Sequence, residues 1–146
     1  MEIISNSEKD TFELGFSLAQ KAVPGDIFCL EGDLGAGKTV FAKGFGKGLG
    51  ISEPISSPTF TILHEYSDGR LPLYHFDAYR IDDPAELYEI GYDEYFFGNG
   101  VCLIEWPSKI AELIPKNAAV ISILRNPRKG SEYRDIIFQT ASEASF

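Results

Sequence analysis

The succession of apolar and polar positions divides the chain into helices and strands. Between Ser7 and Ala22, the residues Phe12, Gly15, Phe16 and Ala19 recur at helical spacing, with Ser7 placed as the N-cap and Pro24-Gly25 as the stop. Asp26-Ile27-Phe28-Cys29-Leu30-Glu31 is a short buried-strand run that leads into a glycine-rich segment. A second helix is expected over Thr39–Leu49. Its Gly44, Gly46 and Gly48 lower helix propensity, so tertiary packing with close backbone approach must hold it.

Beyond a Ser- and Pro-rich loop at Ser52–Pro58, the runs Thr59–Tyr66 and Leu71–Phe76 flank Ser67-Asp68-Gly69-Arg70 and predict an antiparallel hairpin. Asp82/Asp83-Pro84 opens a short helix carrying Glu86, Leu87 and Ile90, which Gly91 ends. Val101–Ile104 is a clean buried strand. Ala118–Leu124 and Tyr133–Gln139 predict a closing pair of strands across a polar, basic turn. Helices and strands alternate at the front, and a hairpin and late strands follow. This order predicts a three-layer α/β domain with a mixed sheet that includes an antiparallel hairpin. One domain is expected over residues 1–141, with Ser142–Phe146 as a frayed tail and no internal repeat.

Composition narrows the function. A chain of 146 residues with 44% apolar content suits one soluble domain. Thirteen basic residues against 22 acidic ones give a net charge of −9, which argues against a broad nucleic-acid surface but leaves RNA contact through a partner open. Met1-Glu2-Ile3-Ile4-Ser5-Asn6 has neither the basic nor the apolar section of a signal peptide, and no apolar run reaches bilayer length. Cys29 and Cys102 lie in apolar strands without CxxC or metal-ligand spacing, as reduced core thiols do. A cytoplasmic location follows as an expectation.

The sharpest chemical signal is Gly32-Asp33-Leu34-Gly35-Ala36-Gly37-Lys38-Thr39, a complete Walker A pattern between the apolar strand and the helix. By average residue usage, such a match arises by chance on the order of once per hundred chains of this length, and the strand–loop–helix setting makes it rarer. Glycines let backbone N–H groups wrap a phosphate at a helix N-terminus. Lys38 supplies charge to the β- and γ-phosphates, and the Thr39 hydroxyl binds Mg²⁺. The pattern therefore predicts a P-loop ATPase, with ATP and Mg²⁺ as its ligands.

A second metal ligand is expected at the end of a neighbouring strand, and two acids compete for it. Glu105 follows the most uniformly apolar run, Val101-Cys102-Leu103-Ile104, and is the better candidate. Asp77, after Leu73-Tyr74-His75-Phe76, would then orient the attacking water or a metal-bound water. Ser56-Ser57-Pro58-Thr59 sits where a segment sensing the γ-phosphate is often found, so Thr59 or Thr61 could reach the metal's water shell; a plain strand threonine accounts for the position equally well. His64 and His75 read first as hydrogen-bonded structural histidines. Tyr92, Tyr95, Phe96 and Phe97 read first as packing of a short helix, and otherwise as a partner-facing patch.

Five segments together resemble one family: GDLGAGKT at Gly32–Thr39, SPTF at Ser57–Phe60, HFDAYR at His75–Arg80, Asp83-Pro84-x-Glu86-Leu87 through Gly91, and IEWP at Ile104–Pro107. In order and spacing they look like the TsaE family, the bacterial ATPases of threonylcarbamoyladenosine tRNA modification, from the first helix to about Arg134. The resemblance implies a P-loop NTPase-like fold and Mg²⁺-dependent ATP hydrolysis supporting a TsaD–TsaB-like complex, which attaches threonylcarbamoyl to an adenosine of tRNA. It implies tRNA contact only through those partners.

By the same resemblance, Lys38 falls on phosphate, Thr39 and Glu105 on Mg²⁺, Asp77 at the hydrolysis position and Thr59 in the sensing loop. Ser7 and Glu8 fall near the nucleotide base. ATP contacts are thus expected from Ser7, Glu8, Asp33, Leu34, Gly35, Ala36, Gly37, Lys38, Thr39 and Arg134. Where the family often has Gly-Arg and a second Arg, this chain reads Gly130-Ser131-Glu132-Tyr133-Arg134, leaving Arg128 or Arg134 for that role. Trp106 matches a family tryptophan, placed near the site, on a partner surface or in the core.

Other functions remain alternatives. A small-molecule or nucleoside kinase would use Arg125, Arg128, Lys129 and Arg134 as a lid, in a turn too short for one. A GTPase lacks its Asn-Lys-x-Asp guanine reader. A nucleotide-gated binding module would share the loop without turnover.

Overall fold

In the computed structural model, which describes residues 1–144, the chain runs β1 (Glu2–Ser5), α1 (Glu8–Lys21), β2 (Ile27–Glu31), α2 (Lys38–Gly48), β3 (Leu63–Tyr66) and β4 (Leu73–Asp77). It continues through α3 (Tyr92–Phe96), β5 (Val101–Glu105), β6 (Ala119–Arg125), β7 (Arg134–Thr140) and α4 (Ala141–Ala144), with 3-10 helices at Pro84–Tyr88 and Pro107–Leu113. The strands form one mixed sheet ordered β1-β7-β6-β2-β5-β4-β3. Its middle is parallel, β6-β2-β5-β4. The antiparallel β3–β4 hairpin closes one side, and β7 and β1 close the other.

The parallel middle is covered on both faces, which is why β5 reads as unbroken apolar residues and is buried at all five positions. On one face, α1 and α2 pack over Leu30, Leu73, Leu103, Ile121 and Ile123. On the other, Leu87, Phe96, Ile110 and Ile114 pack over Cys29, Phe76, Cys102, Ile104 and Val120. Alternation along each strand thus sorts the side chains between the two covers. The glycines that weaken α2 let it lie against α1: a Cβ on Gly44 would run into the Phe12 carbonyl, and one on Gly15 into the Phe41 carbonyl. Both cysteines are free and buried, and burial pushes both thiols up, Cys102 to about 12.

Four elements differ from the pattern-based expectation. The edge strand β1 has no regular alternation, because only Ser5 of its four residues is buried; its pairing with β7 creates it. Thr59–Ile62 is a turn and not strand: the Ile62 amide donates to the Pro58 carbonyl at 2.7 Å, and Ile62 takes a left-handed φ of 69°. The helix expected after Asp83-Pro84 is a 3-10 helix, started by a reciprocal cap between Asp83 and Glu86 and followed by Gly91 at φ 68°. Residues 142–144 of the expected frayed tail are helical instead. Thr140 and Glu143 cap that turn, with Thr140 Oγ1 donating to Glu143 Oε1 at 2.9 Å and Glu143 N donating back at 3.3 Å. The rest of that expectation, at residues 145–146, lies outside the described residues.

Candidate functional site

Three parallel strands end together. β2 runs into the glycine-rich loop and α2, β4 ends on Asp77, and β5 ends on Glu105. Register sets Asp77 beside Glu105 and Glu105 beside Leu30. Asp77 and Glu105 follow Leu73 and Leu103 at even spacing, so they share the sheet face covered by α2. Strand-end acids and the loop–helix junction meet at one edge for that reason.

The loop turns on glycines. Gly35 (φ 79°) and Gly37 (φ 115°) hold left-handed conformations that a Cβ would strain. Gly37 is also the N-cap of α2, and no side chain caps this helix, so its first amides are left facing the cavity. The cavity has a volume of about 430 Å³. Its floor is loop and α2 (Leu34, Gly35, Gly37, Lys38, Thr39), and one wall carries Asp77, Glu105, Ser57 and Thr59. Glu8, Glu132 and Arg134 stand on the opposite side.

Lys38 is buried at 6% exposure, and its Nζ has no hydrogen-bond partner among the described residues. It lies 3.8 Å from the centroid of the Trp106 ring. Burial lowers the ammonium's pKa, and the carboxylates of Glu105, Asp77, Glu31 and Asp33 oppose that shift. Burial likewise raises the pKa of Glu31, against the attraction of Lys38 and a hydrogen bond from the Ser108 amide. A buried, unpaired cation among acids is costly, and a polyanion presented to it would offset that cost.

The two strand-end acids are held differently. Asp77 Oδ2 accepts from the hydroxyls of Ser57 (2.9 Å) and Thr59 (3.2 Å), and Oδ1 accepts from the Tyr79 amide (2.8 Å). The loop expected to sense a γ-phosphate is therefore tied to Asp77. Glu105 Oε2 stands 2.7 Å from His75 Nε2, with both side chains buried.

Ten of the expected residues line the cavity: Glu8, Leu34, Gly35, Gly37, Lys38, Thr39, Thr59, Asp77, Glu105 and Arg134. Three do not. Ser7 caps α1, accepting from the Asp10 amide at 3.1 Å. Asp33 faces an adjacent depression with Glu31 and Trp106. Ala36 is buried, and its carbonyl accepts from Arg134 Nε, so Arg134 ties the start of β7 to the loop. Arg128 is not among the lining residues.

Several lining residues escaped the sequence reading. Thr11 lies one helical turn past Ser7 and lines the cavity from α1 with its hydroxyl 2.7 Å from that of Ser5, a spacing that could have flagged it. Tyr79 sits inside HFDAYR and packs 4.9 Å from the Trp106 ring. Glu132 comes from an irregular turn, where no periodicity identifies it. Trp106, at a left-handed φ of 57°, is half-buried: it lines the cavity over Lys38 and also packs against the core that includes Ile104 and Ile110. Arg80 stacks on the exposed Phe60 ring at 4.5 Å and makes no ion pair with Asp82 or Asp83. His64 is half-buried, 3.4 Å from the Tyr66 hydroxyl. In the aromatic group Phe96 is core, while Phe97 is 68% exposed.

Sheet order and loop position define the class: a mixed α/β domain with a glycine-rich strand–loop–helix unit at the carboxyl edge of its parallel strands. The chain belongs to the TsaE family, whose model, described as Threonylcarbamoyl adenosine biosynthesis protein TsaE, matches residues 5–135. It is 55% identical over 117 residues to the tRNA threonylcarbamoyladenosine biosynthesis protein TsaE of Bacillus subtilis (strain 168), covering 80% of this chain and 71% of that one. To the protein of the same name from Nostoc sp. it is 39% identical over 144 residues, covering 99% and 81%. The crystal structure of Bacillus subtilis YdiB matches with a TM-score of 0.83 at 42% identity, covering 99% of this chain and 87% of that one. No helix among the described residues is long and apolar enough to cross a membrane.

Proposed function

We propose that this chain is a Mg²⁺-dependent P-loop ATPase that serves threonylcarbamoyladenosine formation in tRNA together with a TsaD–TsaB-like complex in the cytoplasm. One observation carries the ATP reading. The buried Lys38 ammonium lacks a partner at the uncapped start of α2, beside a loop that only glycine can shape. A triphosphate would supply the missing acceptors. Family membership and the names of the relatives carry the tRNA reading.

The donor set also fits a nucleotide-bound Mg²⁺. Among the described residues no group of three or more His, Cys, Asp or Glu could cage a metal alone. Mg²⁺ keeps most of its waters and takes one or two protein oxygens beside phosphate oxygens, a role open to the Thr39 hydroxyl and Glu105. When bound, the ion would neutralise charge developing on the β- and γ-phosphates. Lys38 would hold the same phosphates, Arg134 would keep the loop in shape, and Asp77 would orient the attacking water. Ser57 and Thr59 would have to exchange their bonds to Asp77 for contacts with phosphate or water.

A reconstituted reaction tests the proposal. The chain, a TsaD–TsaB-like complex, tRNA, a threonylcarbamoyl donor, ATP and Mg²⁺ are expected to give repeated rounds of modified adenosine. Omitting the chain or ATP hydrolysis is expected to stop the rounds. Undiminished multiple turnover without the chain would overturn the proposal.

A further inference from the structure

His75 is not among the residues that line the cavity, and among the described residues its ring makes a single polar contact: Nε2 to Glu105 Oε2, at 2.7 Å. The other ring nitrogen, Nδ1, is buried with no partner among the described residues. The contact follows from the sheet. His75 is the register partner of Leu103, so Glu105, two residues on and on the same face, is its diagonal neighbour. His75 is 1% exposed, and the core beneath it on that face is Leu73 and Leu103. An apolar side chain would fill this place without leaving a nitrogen unpaired. What the imidazole adds is the bond to Glu105.

Resting on the metal reading above, we infer that His75 is a positioning residue: its Nε2–H donates to Glu105 Oε2 and leaves Oε1 as the carboxylate oxygen offered to the Mg²⁺ of a bound nucleotide. An ionised carboxylate requires the donor on Nε2, which makes Nδ1 the bare nitrogen and costs less than burying an unpaired N–H. The bond fixes the rotation of a carboxylate that no other hydrogen bond restrains among the described residues. Such outer partners of metal ligands typically change metal affinity by ~10–100-fold when lost.

The test uses Mn²⁺ in place of Mg²⁺, with its binding to the ADP complex read by electron paramagnetic resonance and metal-free ADP binding read by calorimetry. His75→Leu is expected to bind ADP in chelator within about twofold of wild type and to lose ~10–100-fold in Mn²⁺ affinity. His75→Gln, whose amide N–H reaches a similar position, is expected to regain most of that loss. A His75→Leu complex that holds Mn²⁺ as tightly as wild type would overturn the inference. So would a folded His75→Gln variant as impaired as His75→Leu. Wild type separates the two levels: if its own ADP complex holds no Mn²⁺, the metal reading of the site falls and this inference falls with it.

Discussion

Lys38 and Trp106 face each other, the ammonium 3.8 Å from the indole centroid and without a hydrogen bond among the described residues. A cation–π contact contributes on the order of 2 kcal/mol in a desolvated setting, and it leaves the ammonium's three N–H donors without the acceptors that a triphosphate would bring. Lys38→Ala removes the one buried cation among the described residues, at the end of the phosphate loop. ATP affinity is expected to fall by ~100-fold or more, the equivalent of two charge-assisted hydrogen bonds. Calorimetry reads it directly, and near-normal affinity would defeat the phosphate-loop assignment.

Glu105→Gln keeps the shape of the side chain and its contact with His75, but replaces an anionic oxygen with an amide. Mg²⁺-dependent hydrolysis is expected to drop by about tenfold or more at limiting Mg²⁺ and to recover in part at high Mg²⁺. Normal turnover at limiting Mg²⁺ would pass the ligand role to Asp77.

Asp77→Asn leaves the glycine loop in place and Lys38 with three of the four carboxylates that favour its charge, so ATP affinity is expected to stay within a few-fold of wild type. Turnover is expected to slow by ~100-fold, as when a water-orienting group is lost. Steady-state rates beside calorimetric affinities separate the two. A variant that loses binding but keeps its turnover number would reverse the roles of the two acids.

Gly44→Ala drives a methyl group into the Phe12 backbone carbonyl at the α1–α2 contact. The higher helix propensity of alanine contributes about 1 kcal/mol in its favour. Overpacking costs ~1–3 kcal/mol, and more where the obstacle is backbone. Net destabilisation is therefore expected, seen as a lower urea midpoint with an unchanged slope. A midpoint at or above that of wild type would mean that the helices separate at little cost.

What could be read in the sequence follows from what each feature depends on. The loop, both strand-end acids and the buried β5 are local patterns with a fixed period, and each lies where that pattern places it. The roles given to those residues belong to the proposal. Features made by tertiary contact were not legible. β1 exists because β7 offers it an edge, and Thr59–Ile62 turns through the Ile62–Pro58 backbone bond while Asp77 holds the Ser57 and Thr59 hydroxyls. Trp106 is a candidate through the IEWP motif, but which of its three places it takes depends on its left-handed backbone, which no apolar pattern reports. Glu132 arrives from a segment distant in sequence, and only the closure of the sheet brings it beside the loop.

Thr59 gives the most discriminating test, because the present structure ties it to Asp77 and not to the loop. Arg134, which lines the cavity, gives Nε to the Ala36 carbonyl and Nη1 to those of Ser131 and Tyr133, and Arg80 lies on Phe60, so we expect neither to act as a finger from within this chain. A phosphoryl-transfer site without that charge loses several powers of ten in rate, so hydrolysis by the isolated chain is expected to be slow. A partner complex that reorders residues 56–61 around the γ-phosphate, or adds a cation there, would raise it. Thr59→Ala removes one of the two hydroxyls that Asp77 holds and leaves the phosphate loop intact. ATP affinity is expected to change by less than about threefold, while stimulation by a TsaD–TsaB-like complex falls by about tenfold or more. Hydrolysis rates at saturating ATP, with and without saturating partners, measure both effects. Fast hydrolysis by the isolated chain that partners leave unchanged would sink the idea, and so would a Thr59→Ala variant stimulated as fully as wild type.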